Sequence, residues 1–253
     1  MKLAGRIALV TGAGRRVGRA LALALGGRGM RVVVHYHQSA GGARETVDAV
    51  ERSGGEARAV HADLASDKGP RQVVERAAAA FGGLDAVVNS AAIMRRTPIG
   101  DVTVAEWDEM FAINLRAPFF TSQAAAPLLA NRSAADEDRA SAPGAIVNIA
   151  DLAAFETWPG YIPHGITKSG LVQMTRALAR VLAPRVRVNA VAPGPVLLPE
   201  NWDAADAEHL VSTTPLARLG APGDVAAAVI FLLESDYITG ETVIVDGGRH
   251  VRR

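Results

Sequence analysis

Strand-like and helix-like segments alternate along nearly all 253 residues. The alternation predicts an α/β fold, one doubly wound domain over residues 1–253 with a seven-stranded parallel sheet. Two further observations agree. Most strand-like runs are rich in apolar and β-branched residues, as strands covered by helices on both faces are. The composition is 49% hydrophobic and only 5% aromatic, with 25 Gly, which supplies a core of Ala, Val, Leu and Ile.

Residues 6–11 form a short β-branched run, and 15–28 follow with helical spacing. Residues 31–35 read as a strand, 41–53 as a helix and 56–62 as a strand. A helix over 66–81 leads to a strand over 84–89, then to one long helix over 107–129. A strand over 145–149, a helix over 163–182 and a strand over 186–191 continue the rhythm, which ends with a helix over 222–233 and a strand over 242–245. Two stretches break the pattern. Residues 131–143 are small and charged, as an exposed loop is, and 193–215 are Pro-rich and then acidic, suited to a lid over a site.

Composition excludes several function classes. A net charge of +1 argues against a general nucleic-acid coat. The absence of cysteine removes disulfides, thiolate catalysis and Cys-based metal sites. No apolar run reaches the roughly 18 residues of a membrane span, and the N-terminus lacks a signal-peptide core, so a cytoplasmic protein is expected.

Between the first strand and the first helix lies Thr11-Gly12-Ala13-Gly14-Arg15-Arg16-Val17-Gly18. Glycines there let backbone approach a pyrophosphate, and the helix N-terminus offers unpaired N–H groups and a positive dipole. The competing reading is a simple tight turn. A site for NAD usually carries an acidic residue at the end of the second strand, for the ribose 2′-hydroxyl. Here that place reads His35-Tyr36-His37-Gln38-Ser39, without a carboxylate. Arg15 and Arg16 add positive charge and Ser39 can donate to phosphate oxygens, which points to NADP(H). The histidines also suit a plain strand end.

A second motif opens the helix over 163–182. In Tyr161-Ile162-Pro163-His164-Gly165-Ile166-Thr167-Lys168, Pro163 fits a first turn, and His164 and Lys168 fall at i and i+4 on one face. A proton-donating side chain beside a lysine suits polar chemistry at a carbonyl or imine. A solvated helix start would carry the same pair.

Together with Asp63-Leu64, Asn89-Ser90-Ala91-Ala92, Asn114, Pro193-Gly194, the segment 237–240 and Asp246-Gly247-Gly248, these motifs make the chain resemble the short-chain dehydrogenase/reductases over nearly its whole length. The resemblance implies a Rossmann-type three-layer α/β/α sandwich, hydride transfer from a nicotinamide to a small-molecule substrate, and a homotetramer. Within the family the chain resembles the pteridine reductases in particular. They too replace a middle glycine of the cofactor loop by arginine, here Arg16. They share a His-Tyr-His segment followed by a basic residue and Ser, with Gln38 here in the place of the basic residue, and they place aspartate where most members carry a catalytic serine, here Asp151.

By that resemblance Asp63 and Leu64 would hold the adenine, and Asn89, Ala91 and Ala92 the adenine ribose side. Lys168 would bind the nicotinamide ribose next to Ile149. Pro193, Gly194 and Val196 would hold the carboxamide, Arg16 would lie near pyrophosphate and substrate, and Tyr161 would line the pocket. Asn114 would kink its helix and hold water linked to Lys168 in the catalytic group. No metal is implied. Two positions depart from the pattern. Met94 stands where an aromatic usually covers the pterin, with Phe155 and Trp158 as alternative ring surface. His164 stands where the family has its catalytic tyrosine, thirteen residues after Asp151.

That second departure sets the mechanistic question. Tyrosine, with a reference pKa of about 10, gives its proton once a neighbouring lysine lowers it; histidine starts near about 6.5. An ammonium at Lys168 opposes the imidazolium and a carboxylate at Asp151 favours it. As an imidazolium His164 is a competent general acid, and Asp151 is the alternative proton source. Three functions follow: an NADPH-dependent reductase of a pterin-like ring or another cyclic carbonyl or imine, a reductase of ordinary ketones or 3-oxoacyl thioesters, and an NADP(H)-binding member without turnover that acts as a sensor or assembly subunit.

Overall fold

A computed structural model describes residues 1–131, 142–198 and 204–251. Seven parallel strands, β1 (Ile7–Val10), β2 (Arg31–Tyr36), β3 (Glu56–His61), β4 (Ala86–Asn89), β5 (Gly144–Ile149), β6 (Val186–Pro193) and β7 (Thr242–Val245), form one sheet in the order β3-β2-β1-β4-β5-β6-β7. The order reverses between β1 and β4, where Ala8, Leu9 and Val10 face Ala86, Val87 and Val88 in register. A crevice opens outside the carboxyl ends of the strands at such a reversal.

Strand side chains divide the core by their period of two. Ala8, Val10, Val32, Val34, Ala86 and Val88 join the cluster holding Leu21 and Leu25 of α1 (Arg16–Gly27) and Val225, Val229 and Leu232 of a later helix, Pro222–Glu234. Ile7, Leu9, Val33, Val87 and Ile146 join the opposite cluster. There they meet Val73, Val74 and Ala77 of α3 (Gly69–Phe81) and Ala125 and Leu129 of α5 (Ala117–Ala130). α2 is Ala40–Arg52. The three-layer sandwich expected from the sequence is therefore present, and among the described residues no helix is long and apolar enough to cross a membrane.

The single helix expected over 107–129 is instead three pieces. α4 (Val104–Phe111) starts three residues earlier, because Thr103 and Glu106 form a capping box. A π turn, Ala112–Arg116, then separates it from α5. α6 (Ile162–Leu182) has Tyr161 as its N-cap and Pro163 in its first turn. Part of the expected lid is a short helix, α7 (Ala204–Ser212), and α8 is Pro222–Glu234. Most of the loop expected over 131–143 lies outside the described residues, as do 199–203 of the lid.

Candidate active site

The glycine-rich turn sits at the carboxyl end of β1. Gly12 has φ +67°, and a Cβ there would lie 2.8 Å from the Ala91 Cα. A Cβ on Gly18 would lie 2.3 Å from the Gly12 carbonyl oxygen. Side chains are thus excluded and the backbone itself forms a cradle, which fits a pyrophosphate better than a bare turn requires. The Thr11 hydroxyl accepts the N–H groups of Ser90 and Ala91 at 2.9 and 3.0 Å, tying the turn to the segment after β4. Arg15 and Arg16 are exposed and Val17 half-buried. Arg16 has φ +50°, in the left-handed region, and its guanidinium donates to the carbonyls of Leu197 at 3.1 Å and Leu198 at 3.3 Å.

Two residues expected to touch cofactor are committed elsewhere. The buried His35 ring accepts the Gly12 N–H on Nδ1 at 3.1 Å, while its Nε2 meets the Ala62 carbonyl at 3.1 Å. A carbonyl can only accept, so Nε2 carries the proton and the ring is neutral. Burial, helped by His61 and His37 and opposed by the Ala62 carbonyl, lowers its pKa from 6.5 to about 4. His35 braces the glycine turn from behind. The Asn89 side chain donates to Asn148 Oδ1 at 2.8 Å, and Asn148 donates to Thr175 Oγ1 at 2.9 Å, a buried relay tying β4 and β5 to α6. Both side chains turn inward because a buried polar group needs a partner.

The other residues of this half stay open. His37 and Gln38 are exposed, and Tyr36 and Ser39 half-buried. His61, at the end of β3, comes within 5.8 Å of His37 and 5.4 Å of Tyr36, centroid to centroid. Asp63 accepts the Ala65 N–H at 2.9 Å, Leu64 is buried, and Ala92 is exposed beside the half-buried Ala91.

The other half lies where β5 meets α6. Lys168 is buried and donates to the Ile149 carbonyl at 2.8 Å. Burial lowers its pKa from 10.5 to about 8, partly opposed by Asp151. Asp151 caps a short turn by accepting the Ala153 N–H at 2.8 Å, and its Oδ2 lies 3.6 Å from His164 Nε2. That separation is too long for a hydrogen bond, and Nε2, fully buried, has no other partner among the described residues. The Nδ1 side of the ring meets the Ile93 carbonyl at 3.3 Å and Asn114 Nδ2 at 3.4 Å. Asn114, expected to kink its helix, lies within the π turn Ala112–Arg116. Tyr161 pairs strand-like with Thr97, and its ring meets Trp158 edge-on at 6.2 Å. Met94 and Phe155 are exposed nearby in the chain.

β6 ends at Pro193. The Gly194 N–H donates to the Val245 carbonyl at 2.9 Å, and a Cβ at Gly194 would lie 2.7 Å from the Asp246 Cβ. Val196 packs on the core that holds β1. Arg249 donates to Thr213 Oγ1 at 2.8 Å and ties the chain after α7 to the C-terminal segment.

Sequence reasoning passed over Ile93 and His61. Ile93 acts through its main chain, which side-chain identity does not announce. His61 was findable, because parallel pairing of β2 with β3 sets it opposite Tyr36.

Comparison with known proteins bears on this geometry. Residues 12–250 match a family model described as Enoyl-(Acyl carrier protein) reductase. The chain is 36% identical over 253 residues to 3beta-hydroxysteroid dehydrogenase 1 of Eggerthella lenta, covering 97% of this chain and 94% of that one. It is 36% identical over 250 residues to the 3-oxoacyl-[acyl-carrier-protein] reductase of a Synechocystis species, covering 97% of each. Among solved structures, FolM alternative dihydrofolate reductase 1 of Brucella canis, complexed with NADP, superposes with a TM-score of 0.90 at 33% identity, over 100% of this chain and 96% of that one.

Proposed function

The chain belongs to the short-chain dehydrogenase/reductase family, and from that membership we propose that it is an NADPH-dependent reductase of a pterin-like ring or a related cyclic carbonyl or imine. The observation that carries this reading is Asp151 facing the buried Nε2 of His164 at 3.6 Å. A carboxyl group and an imidazole side by side, with the Lys168 amine one helical turn further on, would supply a proton beside a cofactor ribose site. The likeness to an alternative dihydrofolate reductase solved with NADP supports both the substrate class and the cofactor.

The cofactor would lie with its pyrophosphate on Gly12, Gly14 and Gly18, and its adenine toward Asp63 and Leu64. Arg15, His37, Gln38 and Ser39 would face the 2′-phosphate, with no carboxylate there to repel it. Lys168 would bind the nicotinamide ribose, held in place by the Ile149 carbonyl, and the backbone at Gly194 and Val196 the carboxamide. When bound, the reduced nicotinamide supplies hydride. His164 and Asp151 hold the proton that completes reduction. Arg16, Met94 and Tyr161 line the substrate side. The exposed Trp107, Phe119, Phe120, Ile166 and Val181 on α4, α5 and α6 support assembly as a homotetramer.

Reduction of ordinary ketones or 3-oxoacyl thioesters is the second reading, favoured by the likeness to a 3-oxoacyl-[acyl-carrier-protein] reductase. NADPH oxidation followed with dihydrobiopterin, dihydrofolate, a 3-oxoacyl thioester and a ketone panel decides between them. Turnover of the pterins at higher kcat/KM than the others is expected. The opposite ranking overturns the pterin reading, and silence of the wild type on every substrate, with activity restored in His164→Tyr, identifies a binding protein without turnover.

A further inference from the structure

The surroundings of the His164 ring decide which of its nitrogens does the work. Asn114 forms a two-point pair with the main chain of Ile93: Oδ1 accepts the N–H at 2.8 Å and Nδ2 donates to the carbonyl at 2.8 Å. That pair fixes which end of the amide bears the hydrogens. Nδ2 has two of them and four acceptors within reach: the Ile93 carbonyl, Met110 Sδ at 3.1 Å, Thr167 Oγ1 at 3.3 Å and His164 Nδ1 at 3.4 Å. His164 Nδ1 is the farthest of the four. The Ile93 carbonyl stands closer to Nδ1, at 3.3 Å, and its second lone pair is available.

We infer that the Ile93 carbonyl, locked by Asn114, accepts the Nδ1–H of His164 and thereby makes Nε2 the proton-releasing atom of the site. The substrate half of this inference rests on the reductase reading; the tautomer half does not.

The chemical reason is a matter of end states. An imidazole that keeps a proton on Nδ1 can release the one on Nε2 and finish neutral. With a bare Nδ1 it would finish as an imidazolate, a far poorer product. In the step, the Nε2–H bond breaks and its electron pair remains on nitrogen. The proton bonds to the substrate oxygen or nitrogen that has gained negative charge from hydride addition at the adjacent carbon. Asp151, with a quarter of its side chain exposed and Oδ2 3.6 Å from Nε2, connects that nitrogen to solvent and carries the replacement proton from water. A main-chain carbonyl thus takes the orienting part that a buried aspartate takes in a serine-protease triad. Asn114 is a positioning residue, acting on the reaction only through the ring.

The test reads the tautomer directly in the cofactor-free protein. With ¹⁵N-labelled histidine, long-range ¹H–¹⁵N correlation separates protonated from bare ring nitrogens, and loss of one signal set in His164→Tyr assigns it among the six histidines. Above the pH at which the imidazole titrates, protonated Nδ1 and bare Nε2 are expected. In Asn114→Ala this preference should weaken while the other five histidines keep their patterns, and kcat should fall by roughly 10- to 100-fold with little change in KM. A protonated Nε2 with a bare Nδ1 in the wild type overturns the inference whether or not Asn114→Ala folds. Turnover with that pattern would sink the positioning and leave the reductase reading intact. A protonated Nδ1 in a protein silent on all substrates would do the reverse.

Discussion

Replacing His35 by asparagine should alter how the protein responds to acid, by an amount set by burial. The imidazole is neutral in the folded state, with its pKa moved from 6.5 to about 4. The unfolded chain therefore binds a proton below pH 6.5 that the folded protein refuses until about pH 4. Stability from this residue is complete above the unfolded value, falls as the pH drops through the window, and levels off below the folded value. Each unit is worth about 1.36 kcal/mol, so the whole window amounts to about 3 kcal/mol. Urea unfolding followed by the fluorescence of the three tryptophans measures it. Carboxylates titrate alike in wild type and His35→Asn and cancel in the difference. The wild-type advantage should shrink by about 3 kcal/mol from pH 6.5 to about 4, and the affinity for NADPH should fall in step as the Gly12 turn loses its brace. Parallel stability curves across that window would refute the assignment of His35 as a neutral brace.

Two other outcomes can be checked. Lys168 in the cofactor-free protein loses its proton near pH 8, below the ordinary 10.5, so NADPH titrations should show affinity declining as the pH rises through about 8, and Lys168→Met should abolish that inflection. Arg16→Gly removes a side chain from a left-handed backbone, which costs roughly 1–2 kcal/mol for a residue with a Cβ. It should raise the stability of the cofactor-free protein by about 1 kcal/mol after loss of the exposed Leu197 and Leu198 contacts, while weakening NADPH binding; a lower thermal midpoint would contradict the strain.

The sheet was legible because its strands are short apolar runs, which a covered parallel sheet demands, and the order of elements left little choice of topology. The glycine turn was legible for a steric reason, since Gly12 and Gly18 stand where a Cβ would strike Ala91 and Gly12. The residue pattern itself did not mark the π turn, because it continues through Asn114 as a helix would; the family resemblance alone pointed to Asn114, and the amide's pairing with Ile93, distant in sequence, shows what holds the turn. The inward turn of the His35 and Asn89 side chains was hidden for a related reason. Their residue types suit a ligand, but Gly12, Ala62 and Asn148 claim their polar atoms, and that competition is visible only in three dimensions. The pairing of Asp151 with His164 joins a loop to a helix, and residue identity alone left open whether they touch.

The π turn also makes the stretch Ala112–Arg116 intolerant of gaps. A π turn holds one residue more than the α-helix around it, and each residue advances a helix by roughly 100°. Deleting any one residue of Ala112–Arg116 would produce a smoother helix and a worse protein. The faces of α4 and α5 would keep their phase, because the residue removed is the extra one the π turn accommodates, but the amide of Asn114 would swing off Ile93. This stretch therefore behaves like a reading frame. Substitutions other than at Asn114 can be absorbed one at a time, whereas a change in length displaces the imidazole's support.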